Sequence, residues 1–128
     1  MTAAIDAYDG IERRVLYMFV RQGLLSKGLD LYISVARAGI DTFLAAAEAE
    51  EASELRDARI DGANIIAYNL SADLADCWED DGLTRRSEHF AVGAEMADRC
   101  IAWRKQLGKP AWSRSVAHWA RGTGHAHA

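Results

Sequence analysis

The sequence predicts an all-α domain of about five helices, stacked as antiparallel hairpins. Three observations carry this. Apolar residues recur every three to four positions almost throughout the 128-residue chain, the spacing that lines one side of a helix. Ala supplies 24 residues, while Val, Ile and Thr together supply 17, which favours helix and leaves little material for a sheet. The breaks between periodic stretches are short, and short connections make consecutive helices antiparallel neighbours.

The first segment spans roughly residues 2–22, with Tyr8, Ile11, Val15, Met18, Phe19 and Gln22 stepping by three and four. Gly23 and Gly28 bracket a break or kink. A long second helix is expected over about 26–59, with Leu25, Leu29, Tyr32, Ala36, Ile40, Phe43 and Ala47 on one side. Leu31, Val35 and Leu44 widen that side, so its first half is expected to be buried on more than one face. Residues 45–54 are rich in Ala and Glu, a solvated stretch of strong helix propensity. Gly62 offers a weak break. Segment three, over 61–78, places Ala63, Ile66, Ala67, Leu70, Leu74 and Cys77 on one stripe. It stops at Glu79-Asp80-Asp81-Gly82, where Gly82 can take the left-handed conformation a turn needs.

Thr84, Ser87 and Glu88 supply capping residues for segment four. Its stripe is Phe90, Gly93, Ala94, Ala97, Cys100, Ile101 and Leu107. Gly108-Lys109-Pro110 then gives a stop and a restart, with Gly just past one helix end and Pro at the first turn of the next. Segment five covers about 110–126 and carries Trp112, Val116, Trp119, Ala120 and Thr123. The chain reads as one domain over 1–128, with two N-terminal helices in 1–60 and a helical-hairpin region in 61–128.

Composition excludes several classes. Half of the residues are apolar and 27% are charged, too hydrophobic a balance for a disordered chain. The apolar run from Val15 to Val20 is far too short to span a membrane. The opening MTAAIDAYDGIERR has acidic residues where a secretory signal has basic and then greasy ones. Two cysteines make no disulfide framework, so a cytoplasmic location is expected. The net charge of −4 divides into −9 over residues 1–84 (7 basic, 16 acidic) and +5 over 85–128 (8 basic, 3 acidic). A molecule polarised in this way can attract a second copy or an anionic ligand at its basic end. Nucleic acid is disfavoured as a partner, because the basic residues are few and form no run.

Segments three and five align at an offset of 50. Asn64-Ile65-Ile66-Ala67-Tyr68 matches Arg114-Ser115-Val116-Ala117-His118, and Leu70 matches Ala120. Repeated helical hairpins mark an α-solenoid. Residues 61–128 resemble the tetratricopeptide-like helical repeat superfamily, through Ala67 and Ala72 on a first helix and Phe90, Ala94 and Ala97 on a second. The hairpin's end at Leu107-Gly108-Lys109-Pro110 and the restart at Trp119 complete the likeness. The offset of 50 departs from that family's repeat of about 34 residues, and residues 1–60 lack the pattern. The resemblance implies binding of peptides or proteins on the surface made by the first helices.

Chemistry-bearing motifs are scarce. Aligning Gly82 with the sixth position of a calcium loop puts Cys77 first, where a hard cation needs a carboxylate oxygen; an acidic, solvated turn accounts for the loop better. His118, His125 and His127 lack an accompanying carboxylate, and only the first two share a helix face. Cys77 and Cys100 sit on apolar stripes, as small hydrophobes do. No phosphate loop, nucleophile elbow or kinase motif occurs. A non-enzymatic protein without a cofactor is expected.

Two surfaces remain. Arg114, His118, Arg121 and His125 form one face of segment five, with Asn64, Tyr68 and Ser71 equivalent on segment three; together they would suit an acidic peptide or protein. Trp112, Val116 and Trp119 are a large apolar load for a last helix. Trp119 is expected to pack near Trp103 or Cys100, with Trp112 partly exposed and the helix in need of a partner, most simply a second copy. The expected function is thus a homodimeric protein or peptide interaction module, binding partners through Asn64, Tyr68, Arg114, His118 and Arg121. The alternative is a helical bundle holding a small anionic ligand or a metal between segments three and five.

Overall fold

The computed structural model describes residues 19–75, 78 and 82–125, with side chains to residue 122. Five helices are present among them, and no strand. They are α1 (the helical residues 19–25), α2 (Leu29–Glu48), α3 (Ser53–Asp73), α4 (Ser87–Gln106) and α5 (Ala111–His125). Consecutive helices from α2 to α5 pack on one another, and α3 also touches α5. Cys77, His127 and most of the acidic turn before Gly82 lie outside the described residues.

The apolar stripes of the sequence are the core. Leu29, Tyr32, Ala36, Ile40 and Ala47 of α2 are buried against Ala63, Ala67 and Leu70 of α3, with Leu74 just beyond it. Met96, Ala97 and Cys100 of α4 close over them, and Ala117 of α5 joins the same cluster. The buried described side chains of α5 are the small Ser113, Ala117 and Ala120.

The expected helix over 26–59 is instead two helices. The chain turns at residues 49–52, and α3 then runs unbroken through Gly62 and across the expected 60/61 division. Propensity alone would carry the helix onward, because Ala and Glu both favour it. The turn is held by side chains from its own residues and from the first turns of α3. Glu50 accepts the Ala52 amide at 3.1 Å, and Arg56 donates to the carbonyl oxygens of Glu50 and Glu51 at 3.1 and 3.2 Å. Buried Arg59 lies 3.3 Å from the Glu50 carboxylate. Gly62 is not a break but a point of contact: a Cβ there would stand 2.5 Å from Cε1 of Phe43.

The other helix ends follow the sequence more closely. Gly108 takes a φ of 68° just past α4, and the Lys109 amide reaches back to the Arg104 carbonyl at 2.9 Å. That is the wrapped C-terminal end for which glycine is suited. At the start of α4 the capping group is not Thr84 or Ser87. The Arg86 amide donates to Nδ1 of His89 at 3.0 Å, so a buried imidazole closes the end.

Leu31 and Val35 are 44% and 40% exposed, which corrects the expectation that α2 is buried on more than one face. α3 and α4 together cover a single side of it. No described helix is long and apolar enough to cross a membrane.

Candidate functional site

Helix α5 contains no acidic residue. It seats on the rest of the molecule through Ser113, Ala117 and Ala120, all buried, with Val116 and Arg121 half-buried beside them. At about 100° per residue, Trp112, Val116 and Trp119 lie roughly 90° to one side of that seam, while Arg114, His118 and Arg121 lie a similar angle to the other. The helix therefore presents two outward flanks of different chemistry.

The apolar flank is open. Trp112 is 71% exposed and Trp119 47%. Trp119 is thus only half covered, where the sequence suggested packing near Trp103 or Cys100. Arg121, which does face α4, bonds to Asp98 there at 2.7 Å, and Trp119 lies on the far side of the helix from it. On the cationic flank Arg114 and His118 are exposed.

The equivalent residues of α3 do not extend this surface, which corrects two further expectations. Asn64 is buried: its Oδ1 accepts from Arg104 Nε at 3.1 Å and its Nδ2 donates to Asp61 at 3.1 Å. The Asn64 carbonyl also lies 3.5 Å from the Cys100 sulfur. Tyr68 is half-buried, with the Arg104 guanidinium stacked on its ring 4.6 Å from the centroid, and desolvation holds its hydroxyl above the ordinary tyrosine pKa. Arg104 also donates to the Ser113 carbonyl at 2.6 Å. This one buried cation thus fills the crevice between α3 and α5, where the alternative reading would place a ligand or a metal. Nearby, Lys109 closes on Asp61 at 3.1 Å.

Two polar clusters were not legible as such in the sequence. The first surrounds Asp73, which is buried at the end of α3. Tyr32 donates to its carboxylate at 2.5 Å, Arg21 of α1 binds it through two nitrogens, and Arg85 donates to its backbone carbonyl at 2.7 Å. The charge-assisted bond to Asp73 pushes the Arg21 pKa above its already high value. The available signal was a lone carboxylate between Leu70 and Leu74 of an apolar stripe. An open cleft of about 380 Å³ adjoins the cluster, lined also by Trp78 and Leu83. The carboxylate's oxygens are already engaged, so the cluster ties α1 and α2 to α3 rather than offering a base.

The second cluster pairs buried His89 with Asp30, Nε2 to Oδ1 at 2.9 Å. An Asp–His pair invites a proton-transfer reading, because a carboxylate that orients imidazole is a recurrent catalytic device. Here Nδ1 accepts the Arg86 amide, so Nε2 carries the proton and donates it to Asp30. Both ring nitrogens are occupied, and no lone pair is left for a substrate. The bond from His89 holds the Asp30 carboxyl below its ordinary range. Cys100 is equally unsuited to nucleophilic work: burial pushes its thiol up to about 12.

Comparison with family models, with curated proteins and with solved structures finds no match. Among the described residues, no three or more His, Cys, Asp or Glu side chains gather as a metal site. The surface of α5 combines an exposed tryptophan flank with an exposed cationic one.

Proposed function

We propose that this chain is a non-enzymatic interaction module that self-associates as a homodimer through Trp112, Val116 and Trp119, and that it presents Arg114, His118 and Arg121 to an acidic peptide or protein in the cytoplasm. The observation that carries the reading is the exposure of Trp112 on α5, a helix whose buried described side chains are Ser113, Ala117 and Ala120. Large aromatic side chains left in water on one flank of a helix are characteristic of contact surfaces. The neighbouring cationic flank suits carboxylates, to which Arg offers a planar fork of donors.

The same reading takes residues 61–128 to be tetratricopeptide-like, and burial at matching positions supports it. Ala63, Ala67 and Leu70 on α3 are buried, and so are Ser113, Ala117 and Ala120 on α5, the same register repeated after 50 residues. α3 and α5 also touch. In a tetratricopeptide-like arrangement they would be successive first helices, with α4 as the second helix between them.

Size-exclusion chromatography with light scattering at micromolar concentration tests the dimer; a monomeric wild type removes the basis of the reading. For the cationic flank, R114A/R121A should keep its helical circular dichroism while binding of a fluorescent poly-glutamate peptide weakens at least about tenfold, the equivalent of ~1.4 kcal/mol. Unchanged peptide affinity in that variant rejects the assignment.

A further inference from the structure

We infer that His89 is an acid-sensitive fastening in this fold: a second proton on its ring releases the connection over residues 82–86 and opens the cleft beside Asp73. The residues involved lie away from α5 and from both of its outward flanks.

His89 occupies the third position of α4, where a capping box has Glu or Gln. Those side chains accept the amide of the residue that precedes the helix. Neutral imidazole does the same here: Nδ1 accepts from the Arg86 amide at 3.0 Å, while Nε2 donates to Asp30 at 2.9 Å. The ring is 3% exposed, so water has little room to replace either partner. Glutamine at this position would never titrate, whereas an imidazole ordinarily changes charge near pH ~6.5.

A second proton can go only onto Nδ1, and it turns that atom from acceptor into donor. The ring then points an N–H at the Arg86 N–H, and the amide loses its acceptor. The new charge also lies in the first turn of a 20-residue helix, the end at which the backbone dipole opposes a cation. The surrounding charges do little to offset this. From α2, Asp30 attracts the imidazolium, but its side chain is 77% exposed and the attraction is screened by water. Lys27, from the turn before α2, and Arg86 line the same cleft as the ring and repel it. Glu88 is engaged by Arg86 at 3.2 Å. From α3, neutral Ser71 and Leu74 meet α4 at Gly93, and Asp73 is turned to Tyr32 and Arg21. The balance favours release once the ring is charged.

What release frees is the 82–86 connection. Leu83 packs against the core, and Arg85 donates to the Asp73 carbonyl at 2.7 Å. Both line the open cleft of about 380 Å³ that Arg21, Leu25 and Asp73 share. The Arg86–His89 bond ties the end of this connection to α4. When that bond is lost, Leu83 and Arg85 are free to move with the chain, and the cleft widens over the Asp73 cluster.

The test is amide hydrogen exchange of the full chain by NMR, expressed as protection factors at about pH 7.5 and about pH 5, above the range in which ordinary carboxylates titrate. The closed connection holds the neutral ring, and the open one takes up a proton below about pH 6.5. Its closure is therefore constant above that pH and weakens below it. Protection of the wild-type Arg86 amide should fall roughly tenfold or more at the lower pH, while Ala67 and Ala117 of the core keep theirs. H89Q retains an acceptor that does not titrate, and should show no such fall. H118Q, a change at an exposed histidine of α5, should behave as wild type. Constant Arg86 protection in wild type, an equal fall in H89Q, a lost response in H118Q, or simultaneous loss of protection at Ala67 and Ala117 would each overturn the inference. Circular dichroism checks that H89Q is folded; if it is not, the wild-type and H118Q profiles decide.

Discussion

Asp73 shows how much one side chain can organise. Its carboxylate receives Tyr32 and Arg21, and its own backbone carbonyl receives Arg85. D73A removes the buried carboxylate shared by Tyr32 and Arg21, and should cost about 2–3 kcal/mol by urea denaturation; a loss below about 0.5 kcal/mol would show that water replaces the carboxylate. Cys100 makes a prediction in pH. The folded state holds the thiol proton up to about 12, against an ordinary value of 9.0. Between those values the unfolded chain releases a proton that the folded chain keeps, so stability falls as pH rises through this window and is unaffected below it. The slope is at most ~1.4 kcal/mol per pH unit. C100A should show a flatter alkaline limb than wild type, and parallel limbs would contradict the assignment. In a C77S background, Cys100 should also resist thiol reagents until the protein unfolds.

At the scale of the element, the α2–α3 corner and the Gly62–Phe43 contact decide where the first hairpin closes. G62A sets a methyl group against three atoms of the Phe43 ring, the nearest at 2.5 Å. Overpacking of this kind costs ~1–3 kcal/mol, and F43L in the same chain should recover most of it; no change in the unfolding midpoint of G62A would mean that the ring swings aside freely. E50A removes the acceptor of the Ala52 amide and an ion-pair partner of Arg59. It should destabilise the protein by about 1–2 kcal/mol and increase amide exchange at residues 49–52 before it affects the core. By contrast, the Arg37–Glu95 pair is largely solvated, and R37A should change stability by no more than ~0.5 kcal/mol.

The molecule as a whole is a row of helices in which each packs mainly on its neighbours in the chain. Such local topology folds fast, and single-exponential refolding in milliseconds or less is expected in stopped-flow fluorescence through its tryptophans. A refolding phase of seconds would point to association or a slow rearrangement beyond this simple stack. Charge is arranged at the same scale. The acidic α2–α3 corner and the basic second half lie within one small body, and part of the imbalance is neutralised internally, as between Lys109 and Asp61 or Arg86 and Asp30. On α5, Arg114 and His118 stay exposed while Arg121 is paired with Asp98.

The amino-acid order alone determined the helical class, the stripes from Leu29 to Ala47 and from Ala63 to Leu74, and the stop at Gly108, because each depends on residues within a turn or two of one another. It also marked α5 as carrying both tryptophans and cations. The burial of Asn64 and the exposure of Trp119 were settled only by packing, and the bend at residues 49–52 by polar contacts that apolar periodicity does not register. A run of Ala and Glu has no local reason to stop, and it turns because Arg56 and Arg59 arrive from the following helix. Asn64 and Arg114 occupy equivalent positions in two similar helices, yet Asn64 is enclosed by bonds to Asp61 and Arg104 while Arg114 faces water. Which of two like positions meets solvent depends on how many helices stack beside it, a quantity that no periodicity encodes.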